Sequence, residues 1–127
     1  MLAGILVYTG FSVYFCYSTI APFFPSELEN RGFSPLFNSA VFAIYALSYV
    51  IFSLLSKRLF IPAWGRVNTF TVAILLQLGA ILTLGLLPFI PNNTAFLITG
   101  LVARFVQGGG ASIQLIIGFA LLSLAYP

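Results

Sequence analysis

The feature that most constrains this chain is a series of four apolar runs, each long enough to cross a lipid bilayer as a helix of about 20 residues. The runs cover residues 2–24, 36–55, 67–87 and 94–125. Transmembrane β-strands are near 10 residues long and alternate in polarity. The sequence therefore predicts an all-α integral membrane protein, with four transmembrane helices in a single domain over residues 1–127. The fourth run exceeds a hydrocarbon core of about 30 Å, so we expect it to tilt, protrude or kink at Gly108–Gly110.

The composition excludes several classes of protein. The chain is 61% hydrophobic and 6% charged, whereas a soluble domain carries about 25% charged residues. A soluble enzyme, a disordered tail and a nucleic-acid-binding module are therefore excluded. The chain has one cysteine, Cys16, and no histidine. These counts leave no zinc site of the Cys/His type, no haem bound by histidine and no Ser-His nucleophile. We expect no enzymatic activity, no cofactor and no metal.

The connections between the runs differ in charge. The first carries two acids and one arginine, the third carries no charge, and the second carries Lys57, Arg58 and Arg66. Positive residues favour the cytoplasmic or matrix side of a membrane, so we expect the second connection and both termini on that side. The third connection ends in Asn92-Asn93-Thr94. Because this triplet lies against the membrane, it fits a helix-capping turn better than a glycosylation acceptor.

Arg104 is the most informative polar residue, since it lies roughly 15 Å from the outer end of the fourth run. An arginine near the bilayer midplane costs at least about 2.5–3.5 kcal/mol. Gln107 and Gln114 share its helix face. That face is either a polar cavity wall that binds a substrate or relays protons, or an interhelical hydrogen-bond clamp; for the two glutamines we favour packing. No Asp or Glu lies inside a run. The partner of Arg104 must then be a carbonyl, a hydroxyl, an anionic ligand or another polypeptide.

Other polar side chains inside the runs form further stripes. They are Thr9, Ser12, Cys16 and Thr19 in the first run, Asn38, Tyr45, Tyr49 and Ser56 in the second, and Gln77 in the third. Hydroxyls in membrane helices often bond their own backbone, and tyrosines and amides often pack between helices. Each stripe can therefore line a cavity or serve packing alone. The candidate cavity-lining residues are Arg104, Gln107, Gln114, Thr9, Ser12, Tyr45, Tyr49 and Gln77.

The segment from Arg104 to Ala111 reads Arg-Phe-Val-Gln-Gly-Gly-Gly-Ala. It resembles the fourth-helix motif of the major facilitator superfamily, Arg-x-x-Gln-Gly-x-Gly-Ala. Arg104 and Gln107 occupy the polar motif positions. The small residues Gly108, Gly110 and Ala111 occupy the positions at which that motif packs helices closely.

The second connection resembles the family's loop motif, Gly-x-x-x-Asp-Arg-x-Gly-Arg, and retains Gly65 and Arg66 as a remnant of that gating loop. Pro62 stands where the motif has its aspartate, which in the family is thought to lock the inner gate. The first connection, with two prolines, Glu27 and the pair Arg31-Gly32, is similar to the vesicular-amine-transporter-like branch. The resemblance covers the whole chain.

This resemblance implies the N-terminal four-helix portion of a twelve-helix secondary transporter of small solutes, whose two halves rock about a central site. Its partners would be the lipid bilayer, the remaining helices of a longer transporter or neighbouring membrane subunits, and a small-molecule solute. In the family the first and fourth helices pack around the central site, so the guanidinium of Arg104 should point toward Thr9, Ser12 and Cys16. The alternative is a non-transporting structural or accessory subunit of a larger membrane complex. Loss of the gate acid favours that alternative, and the intact helix-four motif favours the transporter.

Overall fold

The computed structural model describes residues 2–125. The helices are α1 (Leu2–Asn30), α2 (Pro35–Leu55), α3 (Ile61–Trp64), α4 (Arg66–Leu86) and α5 (Asn93–Ala125), with a π-helical turn at Ser56–Phe60 and a 3₁₀ turn at Leu87–Phe89. Within residues 2–125, three stretches are long and apolar enough to cross a membrane: Pro35–Trp64, Arg66–Phe89 and Asn93–Leu124. Helix α1 has 29 residues but is not one of the three.

Helix α1 extends six residues beyond the end that the sequence predicts at residue 24. It passes through Pro22 and Pro25 because the turns around them bury Phe24 and Leu28. The helix ends instead at Gly32, whose φ is +76°. There the Phe33 N–H donates to the Leu28 carbonyl at 3.0 Å, and the Gly32 N–H donates to Glu29 at 3.0 Å. These bonds form a Schellman cap, for which a glycine with positive φ is the favoured residue.

Helix α2 ends at Leu55, the residue predicted from the sequence, and the second connection after it is also helical. The chain continues through the π-turn Ser56–Phe60 into α3. Pro62 has no N–H, and its ring would clash with the carbonyl four residues earlier. The turn before it widens, and the N–H of Ile61 donates to the carbonyl of Ser56, five residues back. The chain then reverses at Gly65, whose φ of +78° favours glycine.

Helix α5 packs against α1, α2 and α4 and continues as one helix through its three adjacent glycines. A methyl group on Gly108 would collide with the backbone carbonyl of Tyr45 in α2, and one on Gly110 would lie 2.9 Å from the carbonyl of Ala73 in α4. Ala111 is fully buried beside them. The small residues of the helix-four motif therefore let α5 approach two neighbouring helices at backbone contact.

The start of α5 confirms the predicted capping turn. The side-chain Oδ1 of Asn92 accepts from the N–H groups of Thr94 at 2.9 Å and Ala95 at 3.3 Å. This places Asn92 as the N-cap of α5. The apolar core at this end joins α1 and α5 through the stacked rings of Phe24 and Phe96, whose centroids are 5.7 Å apart.

Candidate functional site

Arg104 lies in the interior of the bundle, where α1, α2 and α5 meet, and its side chain is 0% exposed. Its Nη1 donates to Oε1 of Gln107, one turn further along α5, at 2.9 Å. The guanidinium carbon lies 4.9 Å from the ring centre of Phe42 and 5.5 Å from those of Tyr17 and Tyr45. The negative faces of aromatic rings attract a cation. The three rings therefore replace part of the hydration that Arg104 loses on burial.

The hydrogen bonds of this cluster are incomplete. Within residues 2–125, Nε and Nη2 of Arg104 and Nε2 of Gln107 have no acceptor, although each atom is buried. The two acids of the whole chain, Glu27 and Glu29, lie near the C-terminal end of α1. Buried donors without acceptors are costly. The cluster is therefore a positively charged site that requires an acceptor, from water, from a solute or from a further helix.

Gln114 makes a different set of contacts. Its Nε2 donates to Oε1 of Gln77 at 2.6 Å and to the carbonyl of Ala73 at 3.1 Å. Both amides are buried and join α4 to α5. This geometry agrees with the packing role favoured for Gln114 from the sequence, and it places Gln77 in the same clamp.

Two hydroxyls of the polar stripe of α1 bond the backbone of their own helix. Ser12 and Thr19 each donate at 2.8 Å to the backbone carbonyl four residues earlier in α1, which is the self-bonding expected of hydroxyls in membrane helices. Thr9 and Gln114 line a mainly apolar cavity of about 210 Å³ between the N-terminal half of α1 and the C-terminal half of α5. On α1, the ring of Tyr17 faces the guanidinium of Arg104.

Two members of the cluster, Tyr17 and Phe42, were not predicted from the sequence, whereas Tyr45 was. The ring of Tyr45 lies 4.9 Å from that of Tyr17 and is half-buried. A signal was present, since Phe42 precedes Tyr45 by three residues and so shares its helix face. Tyr49 is half-buried on the same helix. Among the described residues, Tyr49 makes neither a hydrogen bond nor a cation–π contact with the guanidinium of Arg104.

The two ends of the bundle carry different charged groups. At one end Arg31 pairs with Glu27 at 2.9 Å and donates to the carbonyls of Ile90 at 2.8 Å and Pro88 at 3.1 Å. Its guanidinium also lies 4.2 Å from the ring centre of Phe96. Arg31 thereby joins the first and third connections, a role that was not predicted from the sequence.

At the other end, Gly65 and Arg66, which the sequence predicts to be a remnant of a gating loop, mark the reversal between α3 and α4. Arg66 is exposed. The hydroxyl of Thr69 donates to the carbonyls of Gly65 at 2.7 Å and Phe60 at 3.2 Å. The first turn of α4 is thereby fixed against the π-turn.

Long apolar helices, with glycines at backbone contact and large apolar side chains on the outside, define a multi-pass integral membrane protein. A family model of the Major Facilitator Superfamily matches residues 6–127, and the chain belongs to that superfamily. Its similar relatives include the MFS-type transporter SLC18B1 of mouse, 26% identical over 87% of this chain, and that of human, 24% identical over 88%. The chain spans 24% of the length of each of these relatives. No solved structure matches the chain significantly.

Proposed function

We propose that the chain forms the first four membrane-crossing helices of a secondary transporter of small solutes. In this proposal α1 crosses the membrane together with α2, α4 and α5. The turn that carries Lys57, Arg58 and Arg66 and both termini lie on the cytoplasmic or matrix side, in keeping with the charge bias of the connections. Membership of the superfamily and the transporter names of the relatives support this function.

The observation that carries the proposal is that Arg104 is buried and, among residues 2–125, has no acidic side chain as a salt-bridge partner. A buried charge that only stabilised packing is costly, and apolar residues of similar volume often replace such groups without loss. The unfilled donors of Arg104 and Gln107 instead suit an acceptor that arrives during the transport cycle, such as water, a solute or a group on another helix. The guanidinium is held at the junction of α1, α2 and α5 by the rings of Tyr17, Phe42 and Tyr45. A change in the contacts of Arg104 therefore acts on all three helices.

The test is solute uptake by the full-length polypeptide with single substitutions at Arg104. Arg104→Leu should reduce uptake to background while the protein stays folded, because it removes both the charge and the desolvation cost. Arg104→Lys should retain part of the activity, since it keeps the charge but loses the planar fork of donors. The matched control is Ser112→Ala on the same helix. Ser112 is fully buried, and its hydroxyl donates to the carbonyl of Gly109 in the same helix at 2.9 Å, with no bond to another helix among residues 2–125, so its loss should leave uptake unchanged.

The same samples distinguish transport from a purely structural role. Size-exclusion profiles and thermal unfolding report whether each variant is folded and assembled. Full uptake by a folded Arg104→Leu variant would contradict a functional role for Arg104. If the Arg104→Leu variant loses assembly and the wild type itself shows no measurable uptake, the result would support the alternative of a non-transporting subunit.

A further inference from the structure

The basic turn, which we define as residues 56–66, concentrates three of the five basic residues of the chain. Lys57, Arg58 and Arg66 are all exposed. Within residues 2–125, none of these three forms a salt bridge. The acids of the chain lie in α1 near its C-terminal end, and the position where the family motif has an aspartate is Pro62. The basic turn therefore presents three cations without a protein counter-charge.

The position of the turn along the helices places it at the membrane surface. Helices α2 and α4 have 21 residues each, or about 30 Å at 1.5 Å per residue, which matches the thickness of the hydrocarbon core. The turn begins where α2 ends and closes where α4 begins. Its cations then lie at the depth of the lipid headgroups.

One side of the basic turn packs against the helix bundle, and the other side is exposed. Phe60 and Ile61 pack against the buried cluster of Ala73, Ile113 and Ile117, and Thr69 bonds the carbonyl of Phe60. Leu59 and Trp64 are 56% and 51% exposed. Tryptophan is enriched at membrane interfaces. The exposed side of the basic turn therefore combines cations with apolar groups that suit the boundary between headgroups and acyl chains.

We propose that the basic turn is a binding surface for the phosphate headgroups of anionic phospholipids, held on one leaflet by Lys57, Arg58 and Arg66. The π-turn imposed by Pro62 widens the helix at the cations, and Gly65 returns the chain so that Arg66 follows α3 directly. The three cations thus lie on one turn between α2 and α4, and all three are exposed. The proposal depends on the membrane placement of α2 and α4 and not on any transport activity.

The experiment compares lipid retention by the full-length polypeptide in nanodiscs that contain equal amounts of phosphatidylglycerol and phosphatidylcholine. Native mass spectrometry of the released protein gives the ratio of the two bound lipids. The wild type should retain phosphatidylglycerol preferentially. Each removed cation should lower this preference about fivefold, measured for Lys57→Gln, Arg58→Gln and Arg66→Gln and for the triple variant.

The matched control is the charge-conserving triple variant, in which Lys57→Arg, Arg58→Lys and Arg66→Lys are combined. It should keep the preference of the wild type, because a headgroup phosphate responds mainly to charge at this exposed surface. An unchanged lipid ratio in the folded triple glutamine variant would overturn the proposal, as would a wild type without preference. Should the triple variant fail to fold, the exposed single variant Arg58→Gln decides. Uptake measured in parallel separates this result from the transport proposal, since lipid preference can be lost or kept whatever the uptake.

Discussion

The Arg104 cluster shows how a charge is held inside an apolar bundle. A guanidinium has five N–H donors and no acceptor, and only one acceptor, Oε1 of Gln107, reaches it within residues 2–125. The rings of Tyr17, Phe42 and Tyr45 supply further, partial electrostatic compensation. The local environment of Arg104 is therefore set as much by aromatic faces from α1 and α2 as by hydrogen bonds within α5.

This interpretation predicts a measurable coupling between Arg104 and Phe42, whose ring is the nearest of the three. Phe42→Leu should destabilise the protein by about 0.5–2 kcal/mol through loss of the cation–π contact, in addition to its packing cost. In an Arg104→Leu background the same substitution should cost only the packing term, so a double-mutant cycle in thermal or denaturant unfolding isolates the coupling. Phe119→Leu, at an exposed position of α5, is the control. A coupling energy of zero would show that the ring does not stabilise the charge.

At the scale of single residues, the sequence predicted what lies along one helix. The spacing of three residues placed Gln107 on the face of Arg104, and the two side chains are hydrogen bonded. Helical spacing also placed Gln114 on that face, but its partner, Gln77, comes from another helix. Tyr17 and Phe42 could not be assigned to the cluster, because their contact with Arg104 depends on the relative rotation of three helices, which periodicity alone does not set.

At the scale of helices, the close approach of α5 to α2 depends on Gly108. Next to this contact the hydroxyl of Ser48 in α2 donates to the carbonyl of Phe105 in α5. The two backbones thus meet along a seam beside the Arg104 cluster. A side chain at Gly108 would force the helices apart at that level.

Gly108→Ala should therefore destabilise the bundle by about 1–3 kcal/mol, as expected when a well-packed interior is overfilled. Gly79→Ala in α4 is the matched control, because a methyl group there meets nothing within 4 Å. That control should be neutral or stabilise by up to about 1 kcal/mol through helix propensity. Thermal unfolding of the two variants in the same detergent makes the comparison. Equal stability of both variants would refute the tight seam.

The end of α1 was the least predictable helix end, because burial of Phe24 and Leu28 maintains the helix past Pro22 and Pro25 until the glycine cap. The second connection was not predicted to be helical, yet the chain passes Pro62 through a π-turn. In each case tertiary packing outweighed the local cost of proline. The Asn92 cap was predicted correctly because a capping bond depends only on residues within one turn.

At the scale of the whole molecule, α5 is the centre of the bundle and the two ends are chemically different. One end is closed by Arg31, which is paired with Glu27 and joins two connections. The other end carries the unpaired cations of the basic turn. Many large apolar side chains on the outer surface are exposed, which suits lipid or further helices and not water. The apolar runs made this class of protein predictable from the sequence.

The proposed topology places the first connection and the basic turn on opposite faces of the membrane, with the basic turn on the cytoplasmic or matrix side, and labelling of single cysteines distinguishes the two faces. The background carries Cys16→Ser, and one cysteine is introduced at a time, Asn30→Cys or Ala63→Cys, both at exposed positions. A membrane-impermeant maleimide is applied to sealed vesicles of known orientation. The two sites should react from opposite faces, with Ala63→Cys labelled only from the cytoplasmic or matrix side. Reaction of both sites from the same face would contradict the four-crossing arrangement.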